Sequence, residues 1–348
     1  MSLPKMQDII EFNEQMASVL WLQLDSLQWS APTHTEKLYS RWWEHSLYLL
    51  NNLEGINENP LEKDRTKIWE QWNTYCEKTD QESPLYHQVT LINNLIKVLP
   101  AVLNGEILAT EVLFPQGKID LVGQYYYNDP LYNYFSDILA QKLINQVKIL
   151  REEHPNKALR ILEIGAGTGG TSARLFKQLL PYTPYISKYV YTDISQTFLN
   201  YAQKNYTAQA PYMCTQLLNI NDIPISQNYT PNHFDIILAA NVLHATPNIA
   251  KCAQHIKILL KPQGLLLLYE IIDLKLFAHL TFGLLEGWWL AEDLELRIPG
   301  TPSLTPENWA LVLNNAGFTD ISFPALTQHD LGFQIISAKN GSEIYSEP

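Results

Sequence analysis

Ile161-Leu-Glu-Ile-Gly-Ala-Gly-Thr-Gly-Gly-Thr171 runs an apolar strand with one acidic residue directly into four glycines. The pattern predicts a strand, a tight turn and a helix. Glycines let backbone come close to a bulky ligand at that turn. Glu163 stands just before them, where its carboxylate can hold a ligand's ammonium group. That combination points to an S-adenosylmethionine site, with Glu163, Gly165, Gly167 and Gly169 as cofactor-binding residues.

The same stretch satisfies G-x-G-x-x-G through Gly165, Gly167 and Gly170, the fingerprint of a dinucleotide site. A pyrophosphate wants helix N-terminal amides and no carboxylate beside it, because two anions at one site repel. A sulfonium with an ammonium wants the reverse, so Glu163 favours the methyl donor. A strand-to-helix turn that binds nothing is the third reading of these residues.

The 348 residues exceed the usual size of one domain, so two are expected. With 46% hydrophobic and 17% charged residues the chain can bury a substantial core. A formal charge of -12 argues against nucleic acid, whose binders present a basic, phosphate-neutralising surface. Cys76, Cys214 and Cys252 are scattered, with neither a disulfide framework nor zinc spacing, which fits a reducing compartment. No apolar run approaches membrane-spanning length and the start lacks a signal-peptide core, so a cytoplasmic location is expected.

Up to about residue 155 the apolar residues recur at helical spacing, near 7 to 27, 36 to 53, 64 to 78, 87 to 104 and 130 to 153. Trp21, Trp29, Trp42, Trp43, Trp69 and Trp72 are read as packing between those helices. Breaks are expected at Asn57-Glu-Asn-Pro60 and Asn128-Asp-Pro130. From 156 onward strands near 160 to 164, 188 to 193, 212 to 217, 234 to 239, 264 to 270, 319 to 324 and 332 to 338 alternate with helices, as a parallel sheet with crossover helices requires. The expected organisation is therefore a helical domain, 1 to 155, and a doubly wound α/β domain, 156 to 348.

Ligands of such a sheet sit outside the carboxyl ends of its strands. Asp193 ends the second strand roughly twenty residues past the glycines, where it can accept from both ribose hydroxyls. Without the glycines it would read as an ordinary helix N-cap. Asn219, after the third strand, offers an amide oxygen to an adenine amino group, or is a plain turn residue. Asn241 follows the fourth strand at the same edge and is a further cofactor-binding candidate.

His244 lies in Asn241-Val-Leu-His-Ala-Thr246 after the fourth strand, and Glu270 ends the fifth. If those strands are neighbours the two can meet. A carboxylate on one ring nitrogen fixes the imidazole's tautomer and leaves the other nitrogen to take a proton from substrate. A lone histidine is more often structural, and here its position decides. The other eight histidines show no metal-ligand spacing, so no metal is expected.

Leu162-Glu-Ile-Gly-Ala-Gly-Thr-Gly-Gly170, Ala240-Asn-Val-Leu-His-Ala-Thr246 and Phe282-Gly-Leu-Leu-Glu-Gly-Trp-Trp289 occur in that order. Together they resemble the methyltransferase domains embedded in modular polyketide synthases, particularly the C-methyltransferases. The likeness covers about 105 to 320 and includes Asn128-Asp-Pro-Leu-Tyr-Asn-Tyr-Phe135 and Ser303-Leu-Thr-Pro-Glu-Asn-Trp309. It implies a seven-stranded, Rossmann-like methyltransferase core under a helical lid, with His244 and Glu270 as the catalytic dyad. It also implies a phosphopantetheine-tethered acyl substrate on an acyl carrier protein, within or beside a polyketide synthase. Tyr134, and with less support Tyr132, fall where lid tyrosines of this family approach the active site; the residues alone read as core aromatics. Asn219 replaces the aspartate more common at the family's adenine contact.

Two further readings stay open at this stage. One is O-methylation of a β-hydroxyl by the same base; the other is a domain that keeps the fold and binds carrier protein without catalysis. No D/N-P-P-Y motif follows the fourth strand, which disfavours nucleobase N-methylation.

Overall fold

A computed structural model describes residues 3–27, 37–52, 64–118, 120–273, 275–325, 327 and 331–341. Trp29 and the expected break at Asn57-Glu-Asn-Pro60 lie outside them. The chain divides into two compact units: Met1–Tyr132 with Leu274–Trp289, and Asn133–Asp273 with Leu290–Pro348.

The first unit is helical. It holds α1 (Met6–Leu27), α2 (Lys37–Asn52), α3 (Arg65–Lys78), α4 (Tyr86–Ile96), α5 (Leu99–Leu103), α6 (Ala109–Leu113) and α7 (Asp120–Asn128), and the start of α8 (Pro130–Glu153). The single helix expected over 87 to 104 is broken after Ile96, and Pro100 opens α5. A proline inside a continuous helix would clash with the preceding turn, whereas in the first turn it costs nothing. Trp42 and Trp72 are fully buried, and Trp21, Trp43 and Trp69 pack against the same core.

The second unit is built on β1 (Leu159–Ile164), α9 (Gly170–Leu179), β2 (Ile186–Asp193), α10 (Gln196–Tyr206), β3 (Met213–Leu217), β4 (Phe234–Ala240), α11 (Ile249–Leu259) and β5 (Leu260–Ile271). The chain then returns to the first unit with α12 (Leu276–Leu280), and re-enters the second to add α13 (Pro306–Asn315), β6 (Phe318–Ser322) and β7 (Phe333–Asn340). Among the described residues these strands form one seven-stranded sheet in the order β3-β2-β1-β4-β5-β7-β6. Thr305 caps α13 by accepting from the Asn308 amide, with Pro306 next to it.

The sheet is mixed, not wholly parallel. β7 runs antiparallel to β5 and to β6. Residues 323–332 are too few to carry the crossover that a parallel pairing needs, so the last strand reverses.

One face of the sheet carries Leu162, Ile164, Ile237, Leu266, Leu268 and Ile336, packed with Ile249 and Ile256 of α11 and Trp309 of α13. Side chains alternate along a strand, so Glu163 and Tyr189 belong to the opposite face. There Phe135 of α8 stacks near Tyr269 and Phe333, and Asp137 of α8 forms a fork with Arg174 of α9. This packing explains why the units divide near 132, not at the change of periodicity near 155: α8 has a helical pattern but buries its face on the sheet. Among the described residues, no helix is long and apolar enough to cross a membrane.

Candidate active site

In the order 3-2-1-4-5 the connections leave the sheet in opposite directions at β1 and β4, opening a crevice at their carboxyl ends. The turn from β1 into α9 lines it. Gly165 (φ 60°) is left-handed, and a Cβ there would stand 2.5 Å from Val242 Cγ1, so the turn packs directly on the loop after β4. Gly167 (φ 56°) differs: a Cβ there would meet only the Gly165 carbonyl, at 3.9 Å, leaving open space over the turn. Gly169 (φ 79°) leads into α9.

β2 holds the turn in place. The Tyr191 hydroxyl donates to the Gly167 carbonyl (2.8 Å), and the Ala166 amide donates to the Thr192 carbonyl (2.8 Å). Asp193, 6% exposed, accepts from the Gly167 amide on Oδ2 (2.9 Å) and from the Ser195 amide on Oδ1 (2.8 Å). It is thus a bracket between the glycine turn and the end of β2. Burial pushes its carboxyl up, against the pull of those backbone donors.

Glu163 is 1% exposed. Ser172 of α9 (2.7 Å) and Tyr189 of β2 (2.6 Å) both donate to Oε2. Its surroundings offer neutral hydroxyls and, among the described residues, no cation. Burial raises its carboxyl to about 7, with nearby Asp193 adding to the rise.

Asn219 is engaged in its own turn: Oδ1 accepts from the Asn221 amide (3.2 Å) and Nδ2 donates to Asp222 (2.8 Å). Asn241 is left-handed (φ 55°), and its amide donates to the Tyr269 carbonyl (2.6 Å). The kink turns the chain out of β4 and into the loop bearing His244.

β4 and β5 pair in parallel, with Ala240 opposite Tyr269. That register brings His244 and Glu270 together, with Nδ1 2.5 Å from Oε2. The Glu270 carboxylate is fully buried, while the His244 side chain is 12% exposed. Oε1 accepts from the amides of Leu243 (2.9 Å) and Val242 (3.3 Å), so both oxygens are committed to the loop after β4. With the carboxylate ionised, Nδ1 carries the ring proton and Nε2 presents a lone pair. The pair can take up a proton.

Tyr134 is half-buried, edge-on to Phe135, and among the described residues no hydrogen bond joins it to His244 or Glu270. Tyr132 is a buried aromatic of the first unit, packed with Tyr125 and Tyr126. Arg65 is tied to Asp25 of α1.

Ser172, Tyr189 and Tyr191 carry no motif, because their contacts join α9 and β2 to the β1 turn across sequence gaps that periodicity cannot pair. Ile194 had a readable signal, an apolar residue directly after the acid that ends β2; it is 74% exposed. Among the described residues no group of three or more His, Cys, Asp or Glu could hold a metal ion.

Two features test whether these residues fit S-adenosylmethionine. The backbone at Gly167 leaves open space that a side chain there would enter, and Glu163 is a buried carboxylate with no cation beside it among the described residues. Both fit a cationic amino-acid nucleoside.

A family model described as a methyltransferase domain matches residues 162–266. The polyketide synthase PksR of Bacillus subtilis is 38% identical over 340 residues, which is 94% of this chain and 13% of that synthase. The chain thus spans about an eighth of that relative's length. The DszA carbon methyltransferase superposes with a TM-score of 0.82 at 26% identity, covering 99% of this chain and 95% of that one. The CurJ carbon methyltransferase gives 0.81 at 28% identity, covering 95% and 93%.

Proposed function

The chain is a class I S-adenosylmethionine-dependent methyltransferase homologous to the carbon-methyltransferase domains of polyketide synthases, and from that premise we propose that it methylates the α-carbon of a β-ketoacyl thioester tethered to an acyl carrier protein. The 2.5 Å contact of His244 with the buried Glu270 is the observation that carries the reading.

In this reading Glu163 faces the donor's ammonium, Asp193 accepts from its ribose hydroxyls, and Gly165, Gly167 and Gly169 let it approach the backbone. Ile194 offers apolar surface to the base, and Asn219 and Asn241 complete the cofactor edge. When bound, S-adenosylmethionine supplies an electrophilic methyl group on sulfur. His244 Nε2 takes a proton from the carbon between the ketone and the thioester carbonyl, and the C–H electron pair becomes an enolate. With the donor bound, the enolate carbon would take that methyl group, and the electron pair of the methyl–sulfur bond would stay on sulfur. Glu270 keeps Nδ1 protonated and steadies the imidazolium, which later releases its proton to solvent. General-base assistance of this kind contributes about 10² to 10⁴ in rate. Tyr134 joins the substrate side.

Intact-mass analysis of a panel of acylated carrier proteins with the methyl donor tests the reading. A single added methyl group, placed on the α-carbon by fragmentation, is the expected result. Methyl on the oxygen of a β-hydroxyacyl substrate, with β-ketoacyl carriers untouched, would replace it with O-methylation.

A further inference from the structure

The loop after β4 has little regular structure of its own. It contains left-handed Asn241, one 3-10 turn at Leu243–Ala245 and Pro247, so several of its carbonyls lack ladder partners. A buried guanidinium supplies them. Arg297 donates from Nη1 to the carbonyl of His244 itself (2.7 Å) and to that of Pro302 (2.6 Å), and from Nη2 to the carbonyl of Thr246 (2.9 Å). Its Nε donates to Asp293 Oδ1 (2.6 Å), and Asp293 Oδ2 accepts from the Ile249 amide at the start of α11 (2.8 Å). The two side chains are 1% and 6% exposed.

We infer that Arg297, oriented by Asp293, is a positioning residue that fixes the backbone of His244 so that its ring meets Glu270; the inference rests on the reading of His244 as the base. The loop is pinned from two sides. Glu270 Oε1 holds the amides of Val242 and Leu243 on the chain entering His244, and Arg297 holds the carbonyls of His244 and Thr246 on the chain leaving it. The amide of Glu292 adds a bond to the Pro247 carbonyl (2.8 Å). A buried ion pair by itself adds little net stability over apolar packing. The planar fork, however, addresses three carbonyls and a carboxylate at once, which the point charge of a lysine cannot do. Small displacements of a base from its reacting geometry cost rate.

The test uses the whole chain with the β-ketoacyl carrier substrate, and follows the Nδ1 proton of His244 by NMR with His244→Ala identifying the resonance. Arg297→Lys keeps the charge and loses the fork. It is expected to bind the methyl donor within about threefold of wild type, to lower kcat at least about tenfold with a smaller change in KM, and to shift or broaden the Nδ1 proton resonance. An Asp293→Asn/Arg297→Gln double variant, which leaves no unpaired buried charge, is expected to do the same if Arg297→Lys fails to fold. A folded, donor-binding variant with wild-type kcat overturns the inference, and so does a lowered kcat with the resonance unchanged. His244→Ala separates the two readings. Full activity there sinks the base, whereas a silent His244→Ala beside a fully active Arg297→Lys sinks only the clamp.

Discussion

Glu163 and Glu270 are each the penultimate residue of a strand in one sheet, both buried, and they face opposite sides of it. Their solvation differs in kind. Glu270 has two backbone amides on one oxygen and an imidazole on the other, so its charge is answered from within the chain. Glu163 has two neutral hydroxyls on a single oxygen, and its carboxyl is raised to about 7. The first carboxylate is equipped to hold a histidine that receives a proton. The second has no cation beside it among the described residues, and in the proposed reading a ligand's ammonium would supply one.

The largest effect is expected at the self-sufficient site. His244→Ala should lower kcat by at least about 100-fold, about 2.7 kcal/mol, while calorimetry finds donor affinity within about threefold of wild type. Glu270→Gln should lose less, because an amide oxygen can still accept from Leu243 and Val242 while the ring goes unassisted. Equal loss of donor affinity in both variants would erase the contrast between the two sites.

Asp193→Ala comes next. Donor affinity should fall at least about tenfold, about 1.4 kcal/mol, with a lowered melting temperature, because the amides of Gly167 and Ser195 lose their acceptor. Affinity unchanged within threefold would show that the carboxylate only braces the turn.

Glu163 predicts a pH dependence. Its folded pKa lies above its unfolded value, so its protonation favours the fold at low pH, and this contribution fades as pH rises through about 7. Ammonium binding favours the ionised form, so donor affinity should rise from pH 6 to 8 and binding should release a proton, seen as a buffer-dependent calorimetric enthalpy. Glu163→Gln should bind several-fold more weakly and flatten the profile. A wild-type affinity independent of pH would contradict the ammonium contact.

The remaining effect is on stability and belongs to the helical unit, where two histidines repeat the contrast with no carboxylate bonded to them among the described residues. His279 is fully buried on Trp42, bonded at Nε2 to the Ser46 hydroxyl, and His45 packs edge-on beside it. Burial holds His279 well below its ordinary value and His45 near 4. The unfolded chain therefore binds more protons between about pH 6.5 and 4, and stability falls as pH drops through that window, by at most about 1.4 kcal/mol per histidine per pH unit. His45→Gln should shallow the acid limb of a tryptophan-fluorescence unfolding series.

The central strands β1 and β4 were legible in the sequence because each is a short apolar run closed by a turn signal, and the glycine turn because its residue types have few other uses. The adjacency of β4 and β5 followed from their order, and with it the meeting of His244 and Glu270. Other features had no one-dimensional signal. The short helices α6, α7 and α12 are too brief to show a helical period, and the return of 274–289 to the first unit is a fact of packing. Asp293 and Arg297 are four apart, which on sequence reads as a solvated helical pair; buried, they serve carbonyls some fifty residues away. Asn219 shows the converse, since its type suits both a base contact and the turn that engages it.

In the proposed mechanism His244, held by Glu270, removes a proton from the substrate's α-carbon. A β-ketoacyl carrier protein deuterated at that carbon, incubated with the enzyme and S-adenosylhomocysteine and followed by mass spectrometry, measures that step without methyl transfer. Enzyme-dependent loss of deuterium to solvent is expected, vanishing in His244→Ala and slowing in Glu270→Gln. Loss at the wild-type rate in His244→Ala would contradict it.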